Sequence, residues 1–236
     1  RIASLVPAAT VLLRAMHAGK QLVAVSNYDL TPPGQPELPR VGDYQNIDWE
    51  KLASLHPSQM IVQMAPDRTP PGLSQRADSL GIGLINIKID RLQDVYVAIK
   101  QLSDALHDPD AAAAMDHQLA QGLAAAAELA NGKPHVKTLI VLDAAGQQAV
   151  GRDTFLDDLL TVAGGDNVVP PTSGPWPTLD REPLLALKPD VILQLLPAAS
   201  PQVIQQAKDT WTSLNAIPAV TNHRVYQLTD WYLLQP

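Results

Sequence analysis

The stretch Asp108-Pro-Asp-Ala-Ala-Ala-Ala-Met-Asp-His-Gln-Leu-Ala-Gln-Gly-Leu-Ala-Ala-Ala-Ala-Glu-Leu-Ala-Asn-Gly132 decides how the chain is organised. Asp108 is a good N-cap, and Pro109 suits the first helical position because its missing N–H would be unpaired there anyway. From residue 111 to 130, ten of twenty residues are Ala, the strongest helix former, with Met115, Leu119, Leu123 and Leu129 at helical spacing. Asn131-Gly132 provides a left-handed stop and Pro134 follows it. The pattern predicts one helix of about 22 residues, about 33 Å long. As a surface helix it would carry only a narrow apolar stripe. Its position near the middle of 236 residues favours a rod joining two lobes.

Outward from this helix, both flanks alternate short apolar runs with helical patterns. Strands are predicted at 2–6, 21–26, 60–64, 84–89, 137–142, 191–196 and 224–228. Helices are predicted at 8–18, 49–55, 72–80, 91–106, 155–163, 182–187 and 201–212. Apolar runs of five or six residues between helices are the mark of parallel sheets covered on both faces. The expected organisation is therefore α/β: two lobes with central, mainly parallel sheets (1–107 and 133–236) bridged by one long helix (108–132).

The flanks also resemble each other. Trp49-Glu-Lys-Leu-Ala-Ser-Leu-His-Pro57 and Arg181-Glu-Pro-Leu-Leu-Ala-Leu-Lys-Pro189 share four positions, and an apolar strand follows each. The shared positions are Glu50/Glu182, Leu52/Leu184, Leu55/Leu187 and Pro57/Pro189. Upstream, Met16-His-Ala-Gly19 precedes Leu22-Val23 much as Thr161-Val-Ala-Gly164 precedes Val168-Val169. Two such windows in the same order point to a duplicated α/β unit.

Composition closes several functional classes. There is no Cys, which removes disulfides, thiolate metal sites, iron–sulfur clusters and cysteine nucleophiles. The net charge of −7, with no basic run, argues against a nucleic-acid partner. The 46% apolar content is that of a folded chain. The six His show no metal-binding spacing, so no metal centre is expected. Asp157-Asp158 opens a helix, where carboxylates suit the positive end of the dipole better than a catalytic role. No phosphate loop, nucleophile elbow or dinucleotide fingerprint is present. Nothing assembles a nucleophile with its base, so a binding protein is expected rather than an enzyme.

In open α/β sheets, ligands bind beyond the carboxyl ends of the strands. Of ten aromatic residues, Tyr28, Tyr44, Trp176, Trp231 and Tyr232 fall in segments that follow strands. The same segments carry Arg68, Arg152 and Asp230, and Met64 closes the third strand. Pro makes up about 9% of the chain, and 11 of the 21 residues lie in 31–39, 66–71 and 170–177. Pro narrows the conformations open to a loop, so these loops are expected to be ordered before a ligand arrives. Aromatic rings on stiff loops suit a large, flat, partly apolar ligand.

These residues also carry a family resemblance. Arg1-Ile-Ala-Ser-Leu-Val-Pro-Ala-Ala-Thr10, Arg40-Val-Gly-Asp-Tyr-Gln-Asn46 and residues 50–57 resemble substrate-binding proteins of ABC importers for vitamin B12, haem and ferric siderophores. So do Gly151-Arg-Asp-Thr-Phe-Leu-Asp-Asp-Leu-Leu160, Ala163-Gly-Gly-Asp-Asn-Val168 and residues 182–193. Locally the chain is most similar to the vitamin B12-binding members, at Ser26-Asn-Tyr-Asp-Leu-Thr-Pro-Pro33, Pro175-Trp-Pro-Thr-Leu-Asp-Arg-Glu182 and Thr229-Asp-Trp231. It departs from them in having Tyr44 where they carry Trp, and in lacking the family's C-terminal helix.

The resemblance implies capture of a small molecule between the lobes and delivery to the transmembrane subunits of an ABC permease. The protein would act as a monomer. It would need no cofactor of its own, the ligand itself being a cobalt corrinoid or, alternatively, haem or a ferric siderophore. Tyr28, Tyr44, Trp176, Asp230 and Trp231 would line the site, with Met64, Arg68, Arg152 and Tyr232 beside them. Glu50 and Glu182 would dock on permease arginines, although each also suits the first turn of its helix. The implied location is periplasmic, or extracytoplasmic and membrane-anchored, with the export signal outside this sequence. A ligand sensor without transport is a further alternative.

Overall fold

A computed structural model describes residues 1–43, 45–64 and 72–235. The chain divides into two compact units. The first comprises Arg1–Ile89 and Gln93–Leu119, the second Asp90–Leu92 and Ala120–Leu234. Each is built around a four-stranded, all-parallel sheet.

In the first unit, β1 (Ile2–Ser4), β2 (Leu22–Val25), β3 (Gln59–Val62) and β4 (Gly83–Asn86) lie in the order β2-β1-β3-β4. In the second, β5 (Val136–Val141), β6 (Gly165–Asn167), β7 (Val191–Leu195) and β8 (Val225–Leu228) lie in the order β6-β5-β7-β8. Counted from its own first strand, each unit has the same order. The repeat seen in the sequence is thus a repeat of topology.

The helices follow the same plan. α1 (Pro7–Ala15) and α6 (Phe155–Val162) each connect the first and second strands of their sheet. α2 (Trp49–Ser54) and α7 (Arg181–Leu187), which carry Glu50 and Glu182, each lead into the third strand. α3 (Leu73–Ser79) in one unit, and α8 (Pro201–Thr212) with α9 (Pro218–Thr221) in the other, lead into the fourth. α4 (Leu92–Leu106) and α5 (Pro109–Ala130) stand between the two sheets in sequence.

α5 has the expected boundaries and chemistry. Asp108 Oδ1 accepts from the Ala111 N–H at 3.0 Å, and Gly132 takes a left-handed φ of 71°. No residue of α5 is buried, so alanine propensity and the two end signals carry its stability rather than a packed stripe.

The paired windows match in conformation as well. His56 and Lys188 both adopt left-handed backbone, at φ 47° and 45°, just before Pro57 and Pro189. Each ends a short helix and turns the chain into the central strand. His17, His107 and His223 likewise take left-handed backbone after α1, α4 and α9, so four of the six His are helix stops.

Alternation along the strands places the cores. Ala3, Leu5, Ala24, Met60, Val62 and Leu52 form one buried cluster in the first unit. In the second, Leu139, Val141, Ile192, Leu184 and Trp211 form one cluster, and Ile140, Phe155, Leu156, Leu160 and Leu195 another. Full burial of each large aliphatic side chain contributes about 1.5–3 kcal/mol.

Two elements depart from the sequence expectation. β6 is Gly-Asp-Asn, with none of the β-branched residues that mark a strand. It is extended because β5 offers its edge, and Leu160 Cδ1 lies 2.2 Å from where a side chain on Gly165 would begin. α9 is a single turn, too short to show a periodicity.

Candidate functional site

Because all strands in a sheet are parallel, the segments that leave their carboxyl ends emerge on one edge of each unit. In the first unit these include 26–43 and 45–48 after β2 and 63–64 after β3. In the second they include 142–154 after β5, 168–180 after β6 and 229–235 after β8. Every described residue read as ligand-contacting lies on one of these segments. Tyr44 and Arg68 lie outside the described residues.

Tyr28 is 71% exposed, yet its loop is tightly held. Arg40 Nη1 donates to the carbonyl oxygens of Ser26 (3.1 Å), Asn27 (2.9 Å) and Asp29 (2.9 Å). The buried Asp29 carboxylate accepts from the Ser26 N–H at 2.9 Å, and the Tyr28 N–H donates to Ser26 Oγ at 3.1 Å. Burial pushes the Asp29 carboxyl above its ordinary value of 3.8, against the opposing pull of Thr10, the Ser26 amide, Arg40 and Arg14.

Gly42 makes the return of this loop possible. Its φ is 97°, and a Cβ there would lie 1.9 Å from the Asn46 carbonyl oxygen. Met64 differs from the exposed candidates: its side chain packs in the core cluster of the first unit, and Asn86 pairs with its backbone N–H and carbonyl.

Trp176 is 46% exposed and is held mainly by backbone. Ala149 N–H donates to Pro177 O, Gly151 N–H to Pro175 O and Leu179 N–H to Gln147 O, each at 2.8 Å. Gln148 Nε2 adds a bond to the Trp176 carbonyl at 3.0 Å. Gly151 is again the permissive residue, since a Cβ would meet the Gly174 carbonyl oxygen at 1.9 Å.

Arg152 turns into its own unit. Its Nη2 donates to the Asn167 carbonyl at 2.8 Å, and Nη1 lies 3.5 Å from Asp157 Oδ1. Asn167 Nδ2 in turn donates to the Val150 carbonyl and to Asp157. Asp230 is exposed, and Trp231 meets Tyr232 edge-to-face with ring centroids 5.7 Å apart.

Asp157 and Asp158 are structural, as helix-start residues should be. Thr154 caps α6 by accepting from the Asp157 N–H. Asp158 Oδ2 accepts from Arg91 Nε and from the Leu92 N–H, each at 2.9 Å. The Arg91 guanidinium holds the Asp158 carboxyl below its ordinary value of 3.8.

Glu50 and Glu182 are the second residues of α2 and α7, and both are exposed. Asp48 caps α2 through the Lys51 N–H, so Glu50 is free of that duty. Among the described residues neither Glu makes a hydrogen bond or ion pair. Among the described residues no group of three or more His, Asp or Glu could hold a metal ion, and no helix is long and apolar enough to cross a membrane.

Tyr28 in one unit and Trp176 in the other are thus exposed aromatics on pinned segments, and no catalytic group is assembled among the described residues. Sequence reasoning missed what pins them: Arg40, Asp29 and Gln148. Arg40 opens the Arg40–Asn46 motif, and that position was its one visible signal.

Comparison with known proteins fits this arrangement. The family model described as periplasmic binding protein matches residues 2–232, and the chain belongs to that family. The family is one of binding proteins, not enzymes. The vitamin B12-binding protein of Pectobacterium atrosepticum is 27% identical over 237 residues, which cover 98% of this chain and 81% of that protein. The crystal structure of the periplasmic vitamin B12-binding protein of Vibrio cholerae is 26% identical with a TM-score of 0.79, covering 100% of this chain and 90% of that one. The periplasmic haem-binding protein of the same organism is also 26% identical, with a TM-score of 0.81 and coverage of 99% and 91%.

Proposed function

We propose that the protein captures a corrinoid of the vitamin B12 kind in the periplasm and delivers it to an ABC permease. The observation that carries this reading is the set of aromatics on strand-end segments, with Tyr28, Trp176 and Tyr232 exposed, Trp231 half-buried, and the main chain around Tyr28 and Trp176 fixed in advance. Ring faces on pre-ordered loops favour a broad, flat ligand with apolar faces and a polar rim. Similarity to vitamin B12-binding proteins over nearly the whole chain supports the corrinoid. Haem is the second reading, favoured by the equally similar haem-binding structure and by exposed Tyr232, a phenol able to ligate iron.

Titration with cyanocobalamin, cobinamide, haemin and a ferric siderophore, followed by Trp quenching and visible spectra, tests the ligand. Quenching by the two corrinoids is expected. A shifted Soret band with haemin and no response to corrinoids would overturn the assignment in favour of haem.

Glu50 and Glu182 occupy the same place in the two units and keep free carboxylates, as docking points for permease arginines require. Replacing both with Ala is expected to leave ligand affinity unchanged and to abolish stimulation of the transporter's ATPase. Full stimulation by the double variant would remove them from docking.

A further inference from the structure

The hydrogen bonds around Tyr28 are arranged differently from an ordinary ion pair. Arg40 lies close enough to the buried Asp29 to pull on its carboxyl charge, yet its Nη1 donates to three carbonyls of the loop, those of Ser26, Asn27 and Asp29. Arg40 is itself set by backbone: Val25 N–H donates to Pro39 O at 2.9 Å and Val41 N–H to Val25 O at 3.1 Å, so residues 39–41 run beside β2. Asp29 closes the loop from below through the Ser26 N–H. Beneath it lie Ser4 and Thr10, both buried, with Thr10 Oγ1 donating to Ser4 Oγ at 2.9 Å. Four buried polar residues (Ser4, Thr10, Ser26 and Asp29) thus stand under one exposed aromatic ring.

A core would not need this. Buried polar groups cost free energy unless every one is paired, and an apolar filling would be simpler. What the cluster achieves is a fixed main chain from 26 to 29 that leaves the Tyr28 ring in solvent. We infer that Arg40 and Asp29 are positioning residues that hold the Tyr28 ring for the flat face of a macrocyclic ligand, so that the ordering cost of this loop is met on folding and not on binding. This rests on the ligand-binding reading above.

The test has an arm that needs no ligand. Amide hydrogen exchange of Asn27, Tyr28 and Asp29 is measured in the ligand-free wild type and in Arg40→Met. Exchange is expected to speed by about tenfold or more in the variant while the amides of β5 and β7 keep their protection. Unchanged exchange at 27–29 would overturn the inference, whatever the protein binds.

The second arm is a double-mutant cycle on affinity for cyanocobalamin, with haemin run in parallel. Arg40→Met is expected to weaken binding about tenfold in the wild-type background and less than about twofold in a Tyr28→Ala background. An equal loss in both backgrounds would make Arg40 merely structural and overturn the inference. Asp29→Asn keeps an acceptor for the Ser26 N–H and should bind nearly as wild type, whereas Asp29→Ala should not. Should Arg40→Met fail to fold, Asp29→Ala takes its place in both arms. Binding of neither ligand by the wild type would overturn the proposed function, and the exchange arm would still decide whether Arg40 and Asp29 hold the loop.

Discussion

The two units share a strand order, the placement of their helices and even a left-handed residue before the same proline, but they fix their exposed aromatics by different means. The first unit pins the Tyr28 loop with a side chain, Arg40, reaching three carbonyls over a buried acid. The second pins the Trp176 segment with a short backbone ladder to 147–151, helped by Gln148. Their acids differ in the same way. Asp29 is buried away from water and is pushed towards its neutral form, while Asp158 meets Arg91 directly and is held in its charged form. The comparison teaches that duplicated topology fixes where the loops emerge, and local side chains decide how they are held.

The largest expected effects break the loops of both units by steric means. Gly42→Ala forces a Cβ against the Asn46 carbonyl at a φ of 97°, combining overlap with left-handed strain. Its cost should be about 3–5 kcal/mol. Gly151→Ala meets the Gly174 carbonyl, and overlap alone should cost about 2–3 kcal/mol. Urea titration measures both. Equal costs would mean that strain at residue 42 contributes nothing.

Next in size are the acids, whose pH dependences should have opposite signs. Asp158 is lowered by its Arg91 bond, so its contribution is present above the ordinary value of 3.8 and is lost as pH falls through its folded value. Wild type should therefore lose its advantage over Asp158→Asn, about 1–2 kcal/mol at neutral pH, on acidification below about 3.8. Asp29 is raised by burial, so its contribution is present below 3.8 and is lost as pH rises through its folded value. Stability of wild type relative to Asp29→Asn should fall with rising pH. Denaturant midpoints of the three proteins between pH 3 and 7 read this out, and two slopes of the same sign would refute the contrast.

The smallest effect tests the repeat itself. His56 and Lys188 pay the left-handed penalty that glycine avoids, so His56→Gly and Lys188→Gly should each stabilise by about 0.5–1 kcal/mol. A gain at only one site would show that the matched conformations are not energetically matched.

Legibility in the sequence varied with the range of the forces involved. α5 could be read because its signals are local: Asp108 and Pro109 at one end, Gly132 at the other, alanine between. The repeat could be read because Glu50, Leu52, Leu55 and Pro57 recur at fixed offsets in one helix–strand junction. The strand-end segments that carry exposed Tyr28 and Trp176 could be read from their prolines and aromatics, whereas the proline run at 66–71 lies outside the described residues. β6 could not, because Gly-Asp-Asn becomes a strand only where β5 supplies its hydrogen bonds. Nor could the posture of Arg152, which resembles a ligand-facing cation in sequence but is turned inward by Asn167 and Asp157.

By itself the sequence determined the α/β character, the central helix, the internal repeat and the loops that carry exposed rings, since each follows from local propensity and periodicity. Only the tertiary structure decided what holds those rings. Arg40 meets carbonyls 11 to 14 residues upstream, and Asp158 meets Arg91 across 67 residues. Hydrogen bonds between residues so far apart are chosen by how the elements pack, and no single segment of the chain encodes them.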